Sequence, residues 1–426
     1  MNYYYPSEKI SQEMNKVNHK NKIFLALLLL LSLYCIDTRI RIHPDNAGIQ
    51  YSETRFYDKI LPKLSGKSVM IISNPSGIGK NPEKIIKEFS RHSVAIRFFL
   101  GLEHGFLGLD EQFSRVPVTV DPIFNLPVYH IYKLKEAEIR DLISRVDYVL
   151  LDVQDMGMRC YTYITVLKRI MDQMHGNREL IILDHINPGM LYKPMGELVE
   201  ERFVNFAADF PLPMVTGLSI GESALFYNKE YLAGRVKVKV IKTGGYSRRK
   251  SYEQAGLTWS TPSPNLPVLD SARNYFSLVL LEGVNVSVGR GTQAPFIYFG
   301  APWMNGHRII GELNRLGAGK VYFQPVFFKP AFGPYANKIC RGLRMNVVDS
   351  SYDPVAMSYA IIQVLKKNFP ASFAWEGGGL KRIDQLWGTS RFRNAIDQGK
   401  SFAEFHSTYR EVEKSSYKKV RKYYLY

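Results

Sequence analysis

A chain of 426 residues is long enough for two domains of ordinary size, and its 46% hydrophobic and 13% aromatic content excludes a disordered polymer. The formal charge of +17 favours an anionic partner such as nucleic acid, phospholipid or cell-wall polymer, although the densest basic run, the C-terminal "KSSYKKVRKYYLY", reads most simply as solvated surface. Three cysteines (Cys35, Cys160, Cys340) give no even disulfide framework and no CxxC pair, which argues against metal held through sulfur.

At the N-terminus, "NKIFLALLLLLSLYCI" is an apolar run preceded by Lys16, Lys20 and Lys22 and followed by Arg39 and Arg41. It is shorter than the roughly 20 residues of a comfortable membrane span. Residues 1–22 then read as a basic n-region and 23–36 as the apolar core of a signal peptide or signal-anchor. No small-x-small cleavage site follows, and Tyr34 before Cys35 does not suit a lipoprotein signal. The expectation is export to the periplasm or the outer face of the cytoplasmic membrane, with this segment as a membrane anchor.

From Lys67 the chain alternates regularly. "SVMIIS" reads as a buried strand, "NPEKIIKEFSRH" as an amphipathic helix and "SVAIRFFL" as a second strand. "LPVYHIY", the helical "KEAEIRDLISR", the strand "VDYVLLDV", the helix "YITVLKRIMDQMHG" and the strand "ELIILDH" continue the pattern. Continuous apolar runs alternating with amphipathic helices predict an α/β fold with a doubly wound parallel sheet. Ligands of such sheets bind at the carboxyl ends of the strands. Asn74 follows the first strand, Glu103 and His104 the second. The fourth is followed by Asp152, Gln154, Asp155, Arg159, Tyr161 and Tyr163, and the fifth by Asp184, His185 and Asn187. Any one of these alone reads more readily as a cap or turn residue, but four polar strand ends on one rim read as a site.

The kind of site is narrowed by what is missing. "NPSGIGKNP" is neither GxGxxG nor a Walker loop, and no HxxxH or HxH spacing accompanies His104 and His185, so no cofactor and no metal are expected. A carboxyl beside an imidazole and next to apolar Phe106 and Leu107 has the surroundings that suit a general acid, the group that cleavage of a glycosidic bond requires. In the second half, "TGLSIGESALFYNKEYLAG" reads as a helix capped by Ser219 and Glu222, "VKVKVIKT" as a half-buried strand, and "DPVAMSYAIIQVLKKNFP" as a helix. "KVYFQPVFFKPAF" and "RGLRMNVVD" read as strands of a second, mixed sheet. "PSPNLPVLD" and "LLEGVNVSVGRGT" offer Asn265, Glu282 and Arg290, the last between glycines that suit an anion-binding turn or a plain one.

The ordered blocks "NPSGI", "LEHGFLG", "DVQDMGMRCYTYI", "LDHINP", "PSPNLPVLDSA", "LLEGVNVSVGRGTQAPF" and "APW" resemble the NamZ-type exo-β-N-acetylmuramidases, bacterial cell-wall glycosidases, from about residue 52 to the C-terminus. The resemblance implies a Rossmann-like domain without a nucleotide, placed at 52–230, a smaller α+β domain at 231–426, and a cleft between them. It implies release of terminal N-acetylmuramic acid from peptidoglycan fragments, with Glu103 as acid/base catalyst. Asp152 and Asp155 are the expected bases for water, Asp184 a fallback, and Asn74, His104, Gln154, Arg159, Tyr161, Tyr163, Asp184, Asn187, Asn265, Glu282 and Arg290 the expected substrate contacts. This sequence departs from the family pattern at Leu107, His185–Ile186, Val215–Thr216 and Val288, segments expected to face the cleft. The alternative is therefore a catalytically impaired, membrane-anchored protein that binds muropeptides in the same cleft. No nucleic-acid module is present, so no nucleic-acid partner is expected.

Overall fold

The structure, a computed structural model, describes residues 48–77, 81–106, 108 and 116–426. The segment 1–36 and Leu107, on which expectations of export and of the cleft rested, lie outside the described residues. Among the described residues no helix is long and apolar enough to cross a membrane.

The first sheet comprises β1 (Ser68–Ser73), β2 (Ala95–Gly101), β3 (Val118–Val120), β4 (Pro127–His130), β5 (Tyr148–Asp152), β6 (Glu179–Leu183) and β7 (Lys237–Ile241). Their order is β3-β4-β2-β1-β5-β6-β7, parallel throughout except for the edge strand β3, which runs antiparallel to β4. Five strands predicted from alternation are all present. The interiors of β1, β5 and β6 and the second half of β2 are apolar because both faces are covered. Met70, Ile72, Phe98, Leu100, Val149, Leu151, Leu180 and Ile182 enter one apolar cluster, while their alternates Val69, Ile71, Phe99, Leu150 and Ile181 enter another on the opposite face. Helices α1 (Ser52–Lys59) and α2 (Pro82–Arg91) cover the second face through Phe56, Ile85 and Phe89. Helices α3 (Glu136–Ser144), α4 (Tyr163–Gln173) and α5 (Ile220–Tyr231) cover the first through Ile139, Leu167, Ile170 and Ala224. A fully buried aliphatic side chain contributes about 1.5–3 kcal/mol, so these two faces outweigh any single polar contact in holding the sheet.

Local chemistry sets the helix starts. Asn81 accepts the Lys84 N–H at 3.0 Å ahead of Pro82. Ser219 and Glu222 form the predicted capping box of α5. The strand β7, placed by sequence in the C-terminal part, pairs with β6 and completes the first sheet, so the sheet runs past residue 230. Its Val–Lys alternation is that of an edge strand with one face to solvent.

The second sheet contains β8 (Tyr298–Ala301), β9 (Val321–Phe328) and β10 (Cys340–Val347) in the order β8-β10-β9. It is antiparallel throughout rather than mixed, because β10 returns between the other two. Helices α6 (Leu269–Leu278), α7 (Gly306–Leu316) and α8 (Pro354–Asn368) bring Leu278, Ile309 and Ile362 into the apolar cluster shared with the first sheet. Four further helices follow: α9 (Arg382–Trp387), α10 (Arg391–Asp397), α11 (Phe402–Ser407) and α12 (Arg410–Val420). The chain then returns to the first sheet. Tyr426 donates to Asp184 at 2.8 Å and the Leu425 N–H donates to Glu222 at 2.7 Å, so the last residues pack on the start of α5.

Candidate active site

A cavity of about 290 Å³ opens over the end of β2, bounded by Glu103 and His104, by Tyr161 and Thr162 ahead of α4, by Ser263 and Asn265, and by Glu282, Arg290 and Arg382 from the second half. Glu103 Oε2 accepts from Thr162 Oγ1 at 3.1 Å, and Thr162 in turn meets the Tyr132 hydroxyl at 2.9 Å. His104 is buried and bonded through Nε2 to Ser263 Oγ at 2.9 Å, which ties the Glu103 loop to the segment after β7. Phe106 does not wall the cavity. It turns to the other face of the sheet, against Phe99 at a ring separation of 4.2 Å, so of the apolar pair expected beside Glu103 the described member faces away.

Arg290 is held between Gly289 and Gly291, both at φ 78°, a conformation that side chains resist; a Cβ on Gly291 would also stand 2.8 Å from the Phe332 nitrogen. The guanidinium pairs with Glu282 at 2.8 Å and lies 5.2 Å from the Phe296 ring centroid. Burial works against its charge, but Glu282, then Tyr275 and Glu103, more than restore it, so the Arg290 pKa lies above its ordinary value. Arg382 approaches Glu282 from the other side, at 3.8 Å. Tyr161, Tyr163 and Tyr275 form an edge-to-face cluster with separations of 4.7 and 5.9 Å about Tyr161. Cys160 also borders the cavity, but burial pushes its thiol up to about 12, which removes it as a nucleophile at neutral pH.

Of the residues singled out by sequence, Glu103, His104, Tyr161, Asn265, Glu282 and Arg290 thus meet at the cavity. The others do not line it, for identifiable reasons. Asn74 donates to the Tyr163 hydroxyl at 2.6 Å, which donates to the Pro262 carbonyl at 2.7 Å; both are spent in stitching the loop after β1 to the second half. Gln154 donates to the carbonyls of Asp155 and Ile186, each at 2.9 Å. Arg159 is wholly buried and donates to the carbonyls of Glu197, Leu212, Leu386 and Trp387. Asn187 donates to the Leu218 carbonyl at 3.0 Å. The carboxylates expected to activate water are also interior. Asp152 is fully buried against His185, with Nε2 to Oδ1 at 2.5 Å. Asp184 accepts from Ser219 at 2.6 Å and from the Gly221 N–H at 2.8 Å, and burial, then the charge of Glu222, raises it to about 6. Asp155 accepts the Gly157 N–H at 2.7 Å, yet burial outweighs that bond and raises its carboxyl to about 7. Val215 and Val288, expected at the cleft, lie in the apolar cluster instead.

Sequence reasoning missed Thr162, Ser263, Tyr275 and Arg382. Thr162 and Ser263 stood inside blocks already read as polar, whereas Tyr275 on a helix face and Arg382 after "EGGGLK" carried no signal.

A parallel α/β sheet joined to a smaller antiparallel one thus carries a cleft with two carboxylates and two guanidinium groups between aromatic walls, an arrangement able to serve acid/base cleavage of a glycosidic bond. The family profiles described as exo-β-N-acetylmuramidase NamZ, N-terminal and C-terminal, match residues 69–270 and 273–426. The chain belongs to the NamZ exo-β-N-acetylmuramidase family. It is 27% identical over 415 residues to the peptidoglycan β-N-acetylmuramidase NamZ of Bacillus subtilis, covering 95% of this chain and 100% of that one. Two solved DUF1343 family proteins of Bacteroides fragilis share the fold, with TM-scores of 0.79 and 0.70 at 27% and 26% identity. Each alignment covers 89% of this chain and 99% of the other.

Asp155 provides a pH test of the interior reading. Its folded pKa of about 7 lies above the roughly 3.9 of a free Asp, so the folded state holds a proton that the unfolded state has lost between those values. Its contribution is complete below about pH 4 and is lost as pH rises through about 7. Asp155→Asn lacks this titration, so its Tm relative to the parent should rise between pH 4.5 and 7.5 in thermal melts. A Tm difference independent of pH would refute the assignment.

Proposed function

We infer that the chain hydrolyses the terminal β-glycosidic bond of peptidoglycan-derived muropeptides, releasing N-acetylmuramic acid, with Glu103 as the general acid/base. The observation that carries this reading is the different engagement of the two cleft carboxylates. Glu282 is committed to Arg290 and approached by Arg382, whereas the Glu103 carboxylate accepts from a neutral hydroxyl, that of Thr162. A group that must give up and regain a proton is better served by the second environment. The family membership and the B. subtilis relative support the substrate class. The burial of Val215 and Val288 removes two departures that had suggested an impaired cleft.

Glu103→Gln keeps the shape and removes proton transfer. Hydrolysis of natural muropeptides should fall by about 10²–10⁴, with binding retained and highly activated aryl glycosides spared more. Hydrolysis at the parental rate would exclude Glu103 from the role.

Muramic acid differs from glucosamine by a lactyl carboxylate, and Arg290 and Arg382 are the cleft cations that suit it. Lysine cannot reproduce the planar fork of donors. Arg290→Lys should therefore narrow the ratio of kcat/KM between matched N-acetylmuramic acid and N-acetylglucosamine glycosides. An unchanged ratio would assign the discrimination elsewhere.

The apolar run at 23–36 with its basic flank supports export, with the chain held at the outer face of the membrane. Cell fractionation should then recover the protein with membranes. A wholly soluble protein whose mature N-terminus lies beyond Cys35 would contradict this.

A further inference from the structure

A second cavity, of about 340 Å³, shares no lining residue with the cleft. It lies at the carboxyl ends of β5, β6 and β7, where Gln154, His185 and Thr243 each stand two residues beyond their strand. The start of α1 (Ser52, Glu53, Thr54) and the segment Tyr252–Ser260 close its other sides. This is the edge at which parallel α/β sheets hold ligands, and the volume falls within the roughly 300–1,000 Å³ of small-molecule sites. The other part of that edge, at β1 and β5, is closed by its own bonds: Gln154 N–H to Ser76 Oγ at 2.9 Å, and Ser73 Oγ to the Asp152 carbonyl at 2.8 Å.

The lining restricts the ligand. His185 lines the cavity and is held by the buried Asp152 through Nε2 at 2.5 Å, which fixes the ring in the wall. Among the described lining residues there is no Lys or Arg, so a phosphate or carboxylate would meet no permanent cation. Hydroxyl groups from Tyr51, Thr54, Tyr252, Thr258 and Ser260 dominate the lining, joined by Gln154, whose amide hydrogens go to the Asp155 and Ile186 carbonyls, and by Glu53, which pairs with Lys84 at 3.1 Å. Hydroxyl groups beside tyrosine rings match a neutral polyhydroxylated molecule better than a purely apolar one. The wall is also firm: Trp259 donates to the Leu266 carbonyl at 3.0 Å and packs edge-on to Tyr252 at 5.8 Å.

We propose that this cavity is an accessory carbohydrate site that binds a neutral N-acetylhexosamine unit, separate from the sugar processed at Glu103. The choice of an N-acetylated sugar rests on the reading of the chain as a peptidoglycan glycosidase; the neutral, hydroxyl-rich character rests on the cavity alone. The segment running from Leu257 and Thr258 at this cavity to Ser263 and Asn265 at the cleft makes the two sites neighbours along the chain.

Titration calorimetry of the full chain with N,N′-diacetylchitobiose tests the proposal. Thr54→Trp and Thr258→Trp, on two separate segments and both at exposed positions, fill the cavity from its rim. Each should weaken binding at least tenfold, whereas Arg290→Ala in the cleft should leave this binding in place. In the parental chain the same sugar should slow modification of His185 by diethylpyrocarbonate, read by peptide mass, a measurement that needs no variant. Binding indifferent to both tryptophans, binding lost only with Arg290→Ala, no binding at all, or labelling of His185 unchanged by the sugar would each overturn the proposal. Because these readouts are of binding, a chain that binds the sugar here but fails to hydrolyse muropeptides would contradict the catalytic reading and not this one.

Discussion

One buried cation holds the cleft in shape. Arg159 has no exposed surface, and its guanidinium donates to carbonyls on the loops at Glu197 and Leu212 and at the end of α9, at Leu386 and Trp387. Burial lowers its pKa to about 10, so it stays charged at neutral pH. A bare charge in such a place would cost several kcal/mol; four carbonyl partners offset that cost, and the last two accept the cation where the helix dipole favours it. The helix it secures carries Arg382 and Leu386 into the cleft. Gly388, at φ 93°, ends that helix, and a Cβ there would stand 3.0 Å from Arg159 Nη2. Glu197 completes the junction by accepting from the Trp387 indole at 2.6 Å and from Thr389 at 2.9 Å. The arginine assigned by sequence to the substrate thus acts one layer below it.

The same economy explains why the cleft stands at the end of β2 and not between β1 and β5, where the strand order reverses. The loops after those two strands are bonded to each other, and a Cβ on Gly77 would stand 2.2 Å from the Asp152 carbonyl oxygen. No ligand fits where two backbones meet so closely. Polar groups at that point serve folding, and the chemistry moves outward to where the second half supplies Glu282, Arg290 and Arg382.

How far the sequence was legible follows from this. Strand segments buried on both faces must be apolar at successive positions, so β1, β5, β6 and the second half of β2 were visible, as were the helices between them. The strand β7 was read correctly as a strand but assigned to the wrong half, because an edge strand with one wet face looks the same in either sheet. For the site, Glu103 was visible because it shares a rim with three other polar strand ends and stands in one of the blocks that carry the family resemblance. Asp155, Asp184 and Arg159 carry the same residue types and opposite roles, and only burial distinguishes them. Arg382 could not be found at all, since its place depends on Arg159, more than two hundred residues away in the chain.

The formal charge of +17 is not a property of the cleft. Glu103 and Glu282 balance Arg290 and Arg382 there, so the excess lies on the rest of the chain. A diffuse excess draws an anionic polymer towards the protein, acts over the screening length of about 8 Å in physiological salt, and gives no discrimination between sugars. Discrimination has to come from the contact itself. Glu282 already sits 2.8 Å from Arg290, well inside that length. An entering carboxylate must therefore share or replace an existing partner rather than fill an empty place. Such an exchange gains little from charge alone and depends on the directions of the guanidinium donors. Salt should act mainly on how fast the polymer arrives, and the geometry held by Gly289 and Gly291 on which sugar is accepted once it has.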